Sequence, residues 1–288
     1  MNDPGPDKLI TLGRSRIQHG KSNDRIYLMH LAPEDMPGIL PQLDALAAGK
    51  HYSKIFVKAP LRLLPVFQRA GYHEEARIPR FFRGRETGVF LGKYLDPRRA
   101  RGIRTARRRE VLESALRRTA ESTGSPVRLP ASYSWHSARL ADAGEIALIY
   151  QAVFETYPFP IHDPEYVRRS MRAGIGYGCI QHHGKIVAVS AAEVSTIESV
   201  AEMTDFATLP EARGRRFARY LLTRMEEAMA ERGILTAYTI ARALSASMNK
   251  TFAATGYSYA GTLINNTQIS GGLESMNVWY KPLRESAS

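Results

Sequence analysis

The stretch Ala201–Met225, AEMTDFATLPEARGRRFARYLLTRM, constrains the chain more than any other. An apolar-leaning run from Met203 to Leu209 has the residue types of a strand, and Pro210-Glu211 and Arg213-Gly214-Arg215-Arg216 punctuate it. Phe217, Tyr220, Leu221, Met225, Ala228 and Met229 then recur at helical spacing, so the following helix buries one face. A strand–turn–helix of this kind aims several free backbone N–H groups, and the positive end of the helix dipole, at one point that suits a pyrophosphate. An ordinary strand-to-helix turn with a solvated basic start fits the same letters, and the surrounding order decides between the two.

Downstream, Gly233 ends the helix, Leu235–Ile240 reads as a strand, and Ser245–Thr255 as a short helix stopped by Gly256-Tyr257. Tyr257–Ile264 and Met276–Leu283 read as strands around a polar loop, Asn265 to Ser275. Upstream, Glu145–Thr156 and Asp163–Arg172 are helices, and Tyr177–Gln181 and Lys185–Val194 are strands joined at His183-Gly184. The basic turn resembles the cofactor loop of the GCN5-related N-acetyltransferases (GNAT), Gln/Arg-x-x-Gly-x-Gly/Ala, with Arg213 and Ala218 in its first and last places. Arg216 stands where the middle glycine is expected; a residue entering a helix has φ near −60°, where arginine is sterically allowed. Order and spacing fit one GNAT domain over 133–284, an α/β (α+β) fold with a mixed central sheet.

Longer runs narrow the resemblance. Tyr157-Pro158-Phe159-Pro160-Ile161, Glu202 to Pro210, Thr236 to Ala243, Asn265-Asn266-Thr267 and Glu274 to Lys281 are similar to the beta-lysine N-acetyltransferase family. That resemblance implies transfer of acetyl from acetyl-CoA to the terminal (ε) amine of β-lysine, making the compatible solute N-ε-acetyl-β-lysine. Another small-amine or protein N-acetyltransferase, or an inactive GNAT-like nucleic-acid-binding module, are the alternative readings.

Composition bounds the rest. A length of 288 residues allows two domains and a sizeable core. The longest apolar stretches fall short of a membrane span, and the start MNDPGPDK has neither a basic nor an apolar leader region. The single cysteine, Cys179, excludes internal disulfides and a cysteine metal cluster, which fits a reducing cytoplasm. It reads as a small buried hydrophobe within a strand. His182 and His183 flank a turn with no carboxylate or cysteine at ligand spacing, so no metal is expected.

The N-terminal third echoes the GNAT order. Arg25–Leu31 reads as a strand, a helix runs to Ala48, Lys54–Lys58 is a strand, and a helix ends at Phe67-Gln68-Arg69-Ala70-Gly71-Tyr72 before strands toward Tyr94. Phe252-Ala253-Ala254-Thr255-Gly256-Tyr257 repeats that ending. Residues 1–96 thus read as a degenerate half-GNAT-like α/β domain, whose Met36-Pro37 replaces the Arg-Gly turn. Proline has no N–H to give a phosphate. Packing on the catalytic domain, completing a substrate wall or supporting a homodimer are the uses open to it. Residues 97–132 form a basic helical linker, continuous from Pro97 to Thr119. Seven arginines between 98 and 109 carry over half of the net charge of +12. No aromatics interleave with them, so they read as a solvated helix rather than a nucleic-acid footprint.

An alkyl ammonium of pKa about 10.4 costs about 4.6 kcal/mol to neutralise at pH 7, so an acetyltransferase needs a base. Glu202 is the favoured base, acting through water, and Asp205 is the runner-up. Three apart, they face opposite sides of a regular strand unless a bulge intervenes. In the cofactor role the resemblance places Phe206, Ala207 and Thr208, whose N–H groups hold the pantetheine arm and polarise the thioester. It adds Arg213, Gly214, Arg215, Arg216, Phe217 and Ala218 on the phosphates, with Asn249 and Phe252 beside the pantetheine. Phe252 takes the position where many GNAT enzymes have a tyrosine acid, leaving Tyr238, Ser245 and Ser247 as candidates. For the diamino acid substrate the same resemblance points to Tyr157, Phe159, Glu193, Arg242, Asn265 and Asn266, with Arg242 as the carboxylate fork.

Overall fold

The structure, a computed structural model, describes residues 7–121, 127–269 and 271–284, with only the backbone described over 118–121. Thirteen strands among these residues form one mixed sheet in the order β1-β2-β3-β4-β6-β5-β12-β13-β11-β10-β9-β8-β7. The C-terminal part runs β7 (Tyr133–Ser137), α5 (Ala143–Val153), α6 (Pro164–Arg172), β8 (Gly176–His182) and β9 (Lys185–Ser195). It continues with β10 (Val200–Thr208), α7 (Phe217–Glu231), β11 (Thr236–Arg242), α8 (Ala246–Ala254), β12 (Ser258–Ile269) and β13 (Gly272–Pro282).

The front part repeats the second half of that list. Its β3 (Arg25–His30), α1 (Ile39–Lys50), β4 (Lys54–Pro60), α2 (Leu64–Arg69), β5 (His73–Phe82) and β6 (Glu86–Tyr94) follow the same order as β10, α7, β11, α8, β12 and β13. In the sheet, β3-β4-β6-β5 mirrors β10-β11-β13-β12, and both first pairs are parallel. The front copy also carries β1 (Lys8–Leu12) and β2 (Ser15–Gly20), an antiparallel pair ahead of β3 that the sequence reading missed. KLITL and SRIQHG mix charges into their apolar positions, which blurs the period-2 signal.

The two copies meet edge to edge where β5 pairs β12 at Ala76 and Gly261. Gly261 has φ +149°, and a Cβ there would lie 2.2 Å from the Glu75 carbonyl oxygen and 2.6 Å from the Ala76 Cα. Beside it Lys54, fully buried, donates to Glu75 (3.0 and 2.8 Å) and to the Ile264 carbonyl (2.8 Å). Glu75 also accepts from the Ile264 N–H at 2.7 Å and from the Tyr94 hydroxyl. Burial pulls the Lys54 ammonium down to about 8, with Glu75 opposing the shift. A buried pair is costly to break because one charge is then left alone.

The polar stretch expected as a loop from Asn265 to Ser275 is mostly strand. β12 runs to Ile269 with a bulge between Leu263 and Thr267, and Ile269 pairs with Gly272 of β13. Its side chains and backbone are occupied by the front copy: Gln268 N–H donates to Asn23 Oδ1 at 2.7 Å. The linker helix is likewise two pieces, α3 (Pro97–Ala100) and α4 (Thr105–Glu121), broken near Arg104 at φ +51°. Arg99 is buried rather than solvated. It donates to the carbonyls of Asn265 (2.7 Å) and Asn23 (2.8 Å) and to Ser53 Oγ (2.8 Å), which pins the linker across both copies. α4 buries Ala115 and Leu112 against the core of α7 and α8.

One face of the sheet is covered by α1 and α2 in front and by α7 and α8 behind. Alternation then sends Tyr27, Phe56, Ile78, Phe81 and Phe90 to the other face, where they pack on Val200, Tyr238, Met276 and Val278 of the second copy. The sheet therefore curls until its front copy reaches β9 and β10: Arg83 N–H donates to the Glu198 carbonyl at 2.7 Å, and His30 Nδ1 lies 3.4 Å from Glu198 Oε1. No described helix is long and apolar enough to cross a membrane.

Gly261→Ala combines a glycine-only φ with a backbone clash at the seam, so it should lower stability by about 3 kcal/mol. A thermal melt within 1 °C of the parent would show that the β5–β12 contact is dispensable.

Candidate active site

A cleft of about 1040 Å³ lies between the copies. Its centre is set by strand separation. β10 and β11 pair only at Val200↔Thr236, Ala201↔Ala237 and Glu202↔Tyr238, and beyond that point nothing on β11 is registered against β10. The wedge opens at Glu202 and Tyr238. On its far side β10 bulges between Thr204 and Ala207, with Asp205 at φ +55°. Asp205 and Phe206 fall outside the β9 ladder, so the bulge turns both Glu202 and Asp205 toward the cleft. The Phe206 ring packs edge-on against Phe252, 5.7 Å between centroids.

At the mouth of the wedge, Arg213 to Ala218 line the cleft as the chain enters α7. Gly214 has φ +81° with open space where a Cβ would sit. Arg216 adopts φ +60°, ψ +27°, a left-handed conformation, and not the helical φ expected for it. This is the region that glycine occupies without strain, so the arginine is strained here; it is solvent-exposed and lines the cleft. Arg215 donates to the Glu211 carbonyl at 2.8 Å and stacks over Tyr133, and Arg213 Nε donates to the Thr208 carbonyl at 3.3 Å. Three guanidinium groups and the first free N–H groups of a 15-residue helix thus converge on one edge of the cleft.

The carboxylates lie deeper. Glu202 faces Glu193 across β10 and β9 in register. Burial raises the pKa of both: Glu193 is pushed up to about 8, Glu202 adding repulsion, while Lys58 offsets part of the shift at Glu202. Tyr238 bonds to Glu202 and accepts from Lys58 Nζ at 3.0 Å, so Lys58, Tyr238 and Glu202 form a chain from the front copy to the wedge. Burial raises Tyr238 well above its ordinary value, keeping the hydroxyl protonated. Asp205 accepts from Tyr157 and, at 3.0 Å, from Thr204 Oγ1.

Other sequence expectations fall differently. Asn249 is fully buried away from the cleft. Its amide nitrogen donates to the carbonyls of Arg242 (2.9 Å) and Ser245 (2.8 Å), and its oxygen accepts from Asn277 (2.8 Å) and Trp279 (2.9 Å). It has no capacity left for a pantetheine amide. Asn265 is also structural: its nitrogen donates to the carbonyls of Arg99 and Arg101 at 2.9 and 2.8 Å. Arg242 lines the cleft with its charge already paired: Glu274 takes its Nε–Nη2 edge at 2.9 and 2.7 Å, so it is not the unpaired fork expected from the sequence. The Ala207 side chain is buried in the core under α5 and α6. Tyr157, Phe159, Asn266, Thr208, Ser245, Ser247 and Phe252 do line the cleft.

The front copy supplies residues that sequence reasoning left out: Gln18, Arg25, Tyr27, Phe56 and Lys58 all line the cleft. A signal was present. Arg25 and Lys58 sit at alternate, inward positions of the otherwise apolar strands RIYLMH and KIFVKAP.

Fold and cleft together define an acyl-transfer enzyme of the GNAT type, and the acetyltransferase (GNAT) family model matches residues 146–253. A beta-lysine N(6)-acetyltransferase of Methanococcus maripaludis is 34% identical over 96% of this chain and 98% of its own length. One of Methanosarcina mazei is 30% identical over 84% of this chain and 95% of its own. N-acetyltransferase YodP of Bacillus subtilis is 32% identical over 85% of this chain and 87% of its own. The chain belongs to the beta-lysine N-acetyltransferase family.

Replacing Arg216 with glycine relieves a left-handed backbone that costs about 1–2 kcal/mol, against about 0.4–1 kcal/mol of added unfolded-state entropy. Arg216→Gly should therefore melt at or above the parent temperature while Arg216→Val melts below it. The reverse order in calorimetry would contradict the strained conformation.

Proposed function

We propose that the protein transfers the acetyl group of acetyl-CoA to the terminal amine of β-lysine, by direct attack within a complex of both substrates. The observation that carries this reading is the wedge between β10 and β11: a buried carboxylate at its apex, a cationic helix start at its mouth. The names of the relatives supply the acceptor.

Acetyl-CoA is the co-substrate of the family, and the loop fits its phosphates: Gly214 leaves open space, and Arg213, Arg215 and Arg216 bring positive charge to the α7 start. Backbone N–H groups on the edge of β10 from Phe206 onward have no strand on the wedge side, so they are available to the thioester carbonyl. The acceptor arrives as an ammonium. Glu202, its pKa raised by burial and held back by the Lys58 charge, takes a proton from it, directly or through one water. The amine then attacks the carbonyl carbon and the C–N bond forms; the C–S bond breaks as the nitrogen's second proton passes, directly or through water, to the departing CoA thiolate. Its pKa, about 8.5, makes departure tolerable without an acid. Tyr238 stands at the apex as the nearest hydroxyl able to return a proton, with Ser245 and Ser247 along the wall.

Asp205, held by Tyr157 and Thr204, serves the shape of the bulge. Only the second copy has the cofactor turn: the front helix α1 starts after Met36-Pro37 at Gly38, and residues 33–43 contribute nothing to the cleft. The exposed arginines of α3 and α4 serve packing and solvation. Nucleic acid has no part in this reading.

Glu202→Gln keeps shape and removes proton acceptance, so turnover near neutral pH should fall by about 10² to 10⁴. Because the Glu202 pKa is raised, parent activity climbs with pH as this carboxyl ionises, and the deficit of the variant should shrink toward the pKa of the amine itself. A variant of near-parent rate across the pH range would remove Glu202 from the base role. Calorimetry should find one acetyl-CoA site per chain; two equivalent sites would refute the degenerate front copy.

A further inference from the structure

The inner face of the front copy holds a second polar cluster that the transfer chemistry leaves unused. On β2 and β3, Ile17, Ile26 and Leu28 point to the α1–α2 layer, fully buried among apolar neighbours. Gln18, Arg25 and Tyr27 point the other way, into the cleft. Gln18 is 1% exposed, and neither its amide oxygen nor its nitrogen has a hydrogen-bond partner. Arg25 is 5% exposed. Its Nη1 donates to the Asn266 carbonyl and, at 3.2 Å, to Thr267 Oγ1, while its Nε has no partner. Asn266, in the β12 bulge and 1% exposed, leaves its side-chain oxygen unpartnered.

Unpartnered buried polar atoms are rare and each carries a desolvation cost. Three neighbouring residues with such atoms on one wall of a cleft mark a place a ligand completes. The sign of that ligand follows from the charge. Among the described residues no carboxylate lies within 4 Å of Arg25, in contrast to Lys54 and Arg242, each closed on a glutamate. Asp7, Glu202 and Glu75 act on it only at longer range. Of the other cations lining the cleft, Lys58 is engaged by Tyr238, Arg242 by Glu274, Arg213, Arg215 and Arg216 belong to the cofactor turn, and Arg16, two residues before Gln18 on β2, is solvent-exposed.

We propose that Arg25, with Gln18, receives the carboxylate of the amino-acid acceptor while the Asn266 oxygen accepts from its β-ammonium, so that the degenerate front copy supplies the specificity end of the active site. This rests on the β-lysine reading above and deepens it. A β-amino acid with a terminal amine carries one carboxylate and two ammonium groups. Arg25 takes the first, with the Gln18 amide nitrogen as a second donor; the β-ammonium has Glu193 and the Asn266 oxygen as acceptors, and the terminal amine reaches Glu202 at the wedge. Binding adds a negative charge beside a guanidinium that has no carboxylate partner and a positive charge between two abutting carboxylates, so each end relieves the cost of the other.

The test compares two acceptors in the full-length enzyme: β-lysine and 1,4-diaminopentane, which is the same skeleton without the carboxylate. Arg25→Gln should lower kcat/KM for β-lysine by about 10²-fold, the scale of a lost charge-assisted hydrogen-bonded pair, and leave the diamine almost untouched. The discrimination of the parent enzyme thereby collapses. Gln18→Leu, which breaks no hydrogen bond of the protein itself, should do the same by about tenfold and keeps the test alive if Arg25→Gln does not fold. Equal losses on both acceptors, or an unchanged ratio in the variants, would overturn the assignment. A parent enzyme that uses both acceptors equally well would also overturn it while leaving the acetyltransferase reading intact. A parent enzyme that acetylates neither would instead sink the β-lysine reading itself.

Discussion

The active site depends on one backbone contact, the approach of β12 to β5 at Gly261 and Ala76. A side chain there would enter the partner strand. Because glycine permits the approach, the Lys54–Glu75 pair can bridge the two copies and bond both the N–H and the carbonyl of Ile264. The pair is buried, and its stabilising value lies in saturation: Glu75 accepts from Lys54, Tyr94 and Ile264, so neither charge is left alone. A sheet joined across that seam then twists in the usual right-handed sense, and its accumulated curl brings β3 to face β10. Without the seam, the wedge would open onto solvent.

Duplication explains why the seam exists and what it does. Both copies keep the β–α–β–α–β–β order and the same sheet arrangement, and they meet through equivalent edge strands, β5 and β12. Edge strands are exposed templates for pairing, and here each is consumed by the other. The second copy retained the phosphate turn. The front copy traded it for Met36-Pro37 and put Gln18, Arg25 and Lys58 on its inner face. In the proposed reaction one copy thus holds the donor side and the other walls the acceptor side. Two cations from the front, buried Arg25 and half-buried Lys58, stand against Glu193, Glu202 and Asp205 from the back, a charge pattern that neither half could form alone.

Much of this was legible as local pattern. The strand into Thr208, the turn at Arg213–Arg216, the helical spacing from Phe217 to Met229 and the echo of Gly256-Tyr257 in Gly71-Tyr72 are all short-range signals, and the elements stand within two or three residues of where spacing put them. Glu202 and Asp205 came from position on that strand, although their shared orientation required a bulge that periodicity cannot show. Asn249, Asn265 and Arg242 went astray for one reason. A polar residue near a site was read as free for a ligand, yet each finds its partners in elements distant in sequence: Trp279 and Asn277, the Arg99 linker, and Glu274.

The sequence by itself determined the local chemistry: which segments are strand and helix, where helix-start N–H groups meet arginine, and which carboxylate precedes the bulge. Hydrophobic period and turn residues act over a few positions, so one dimension suffices to read them. Tertiary structure alone decided the company each polar side chain keeps. The φ of Arg216, the partners Asn249 and Arg242 find on β12–β13, the contact of Arg25 with the Asn266 carbonyl across 241 residues and the reach of Lys58 to Tyr238 across 180 are consequences of how strands pair and separate. Such pairings depend on how the curled sheet closes on itself, and the desolvation that makes them matter exists only once it has closed.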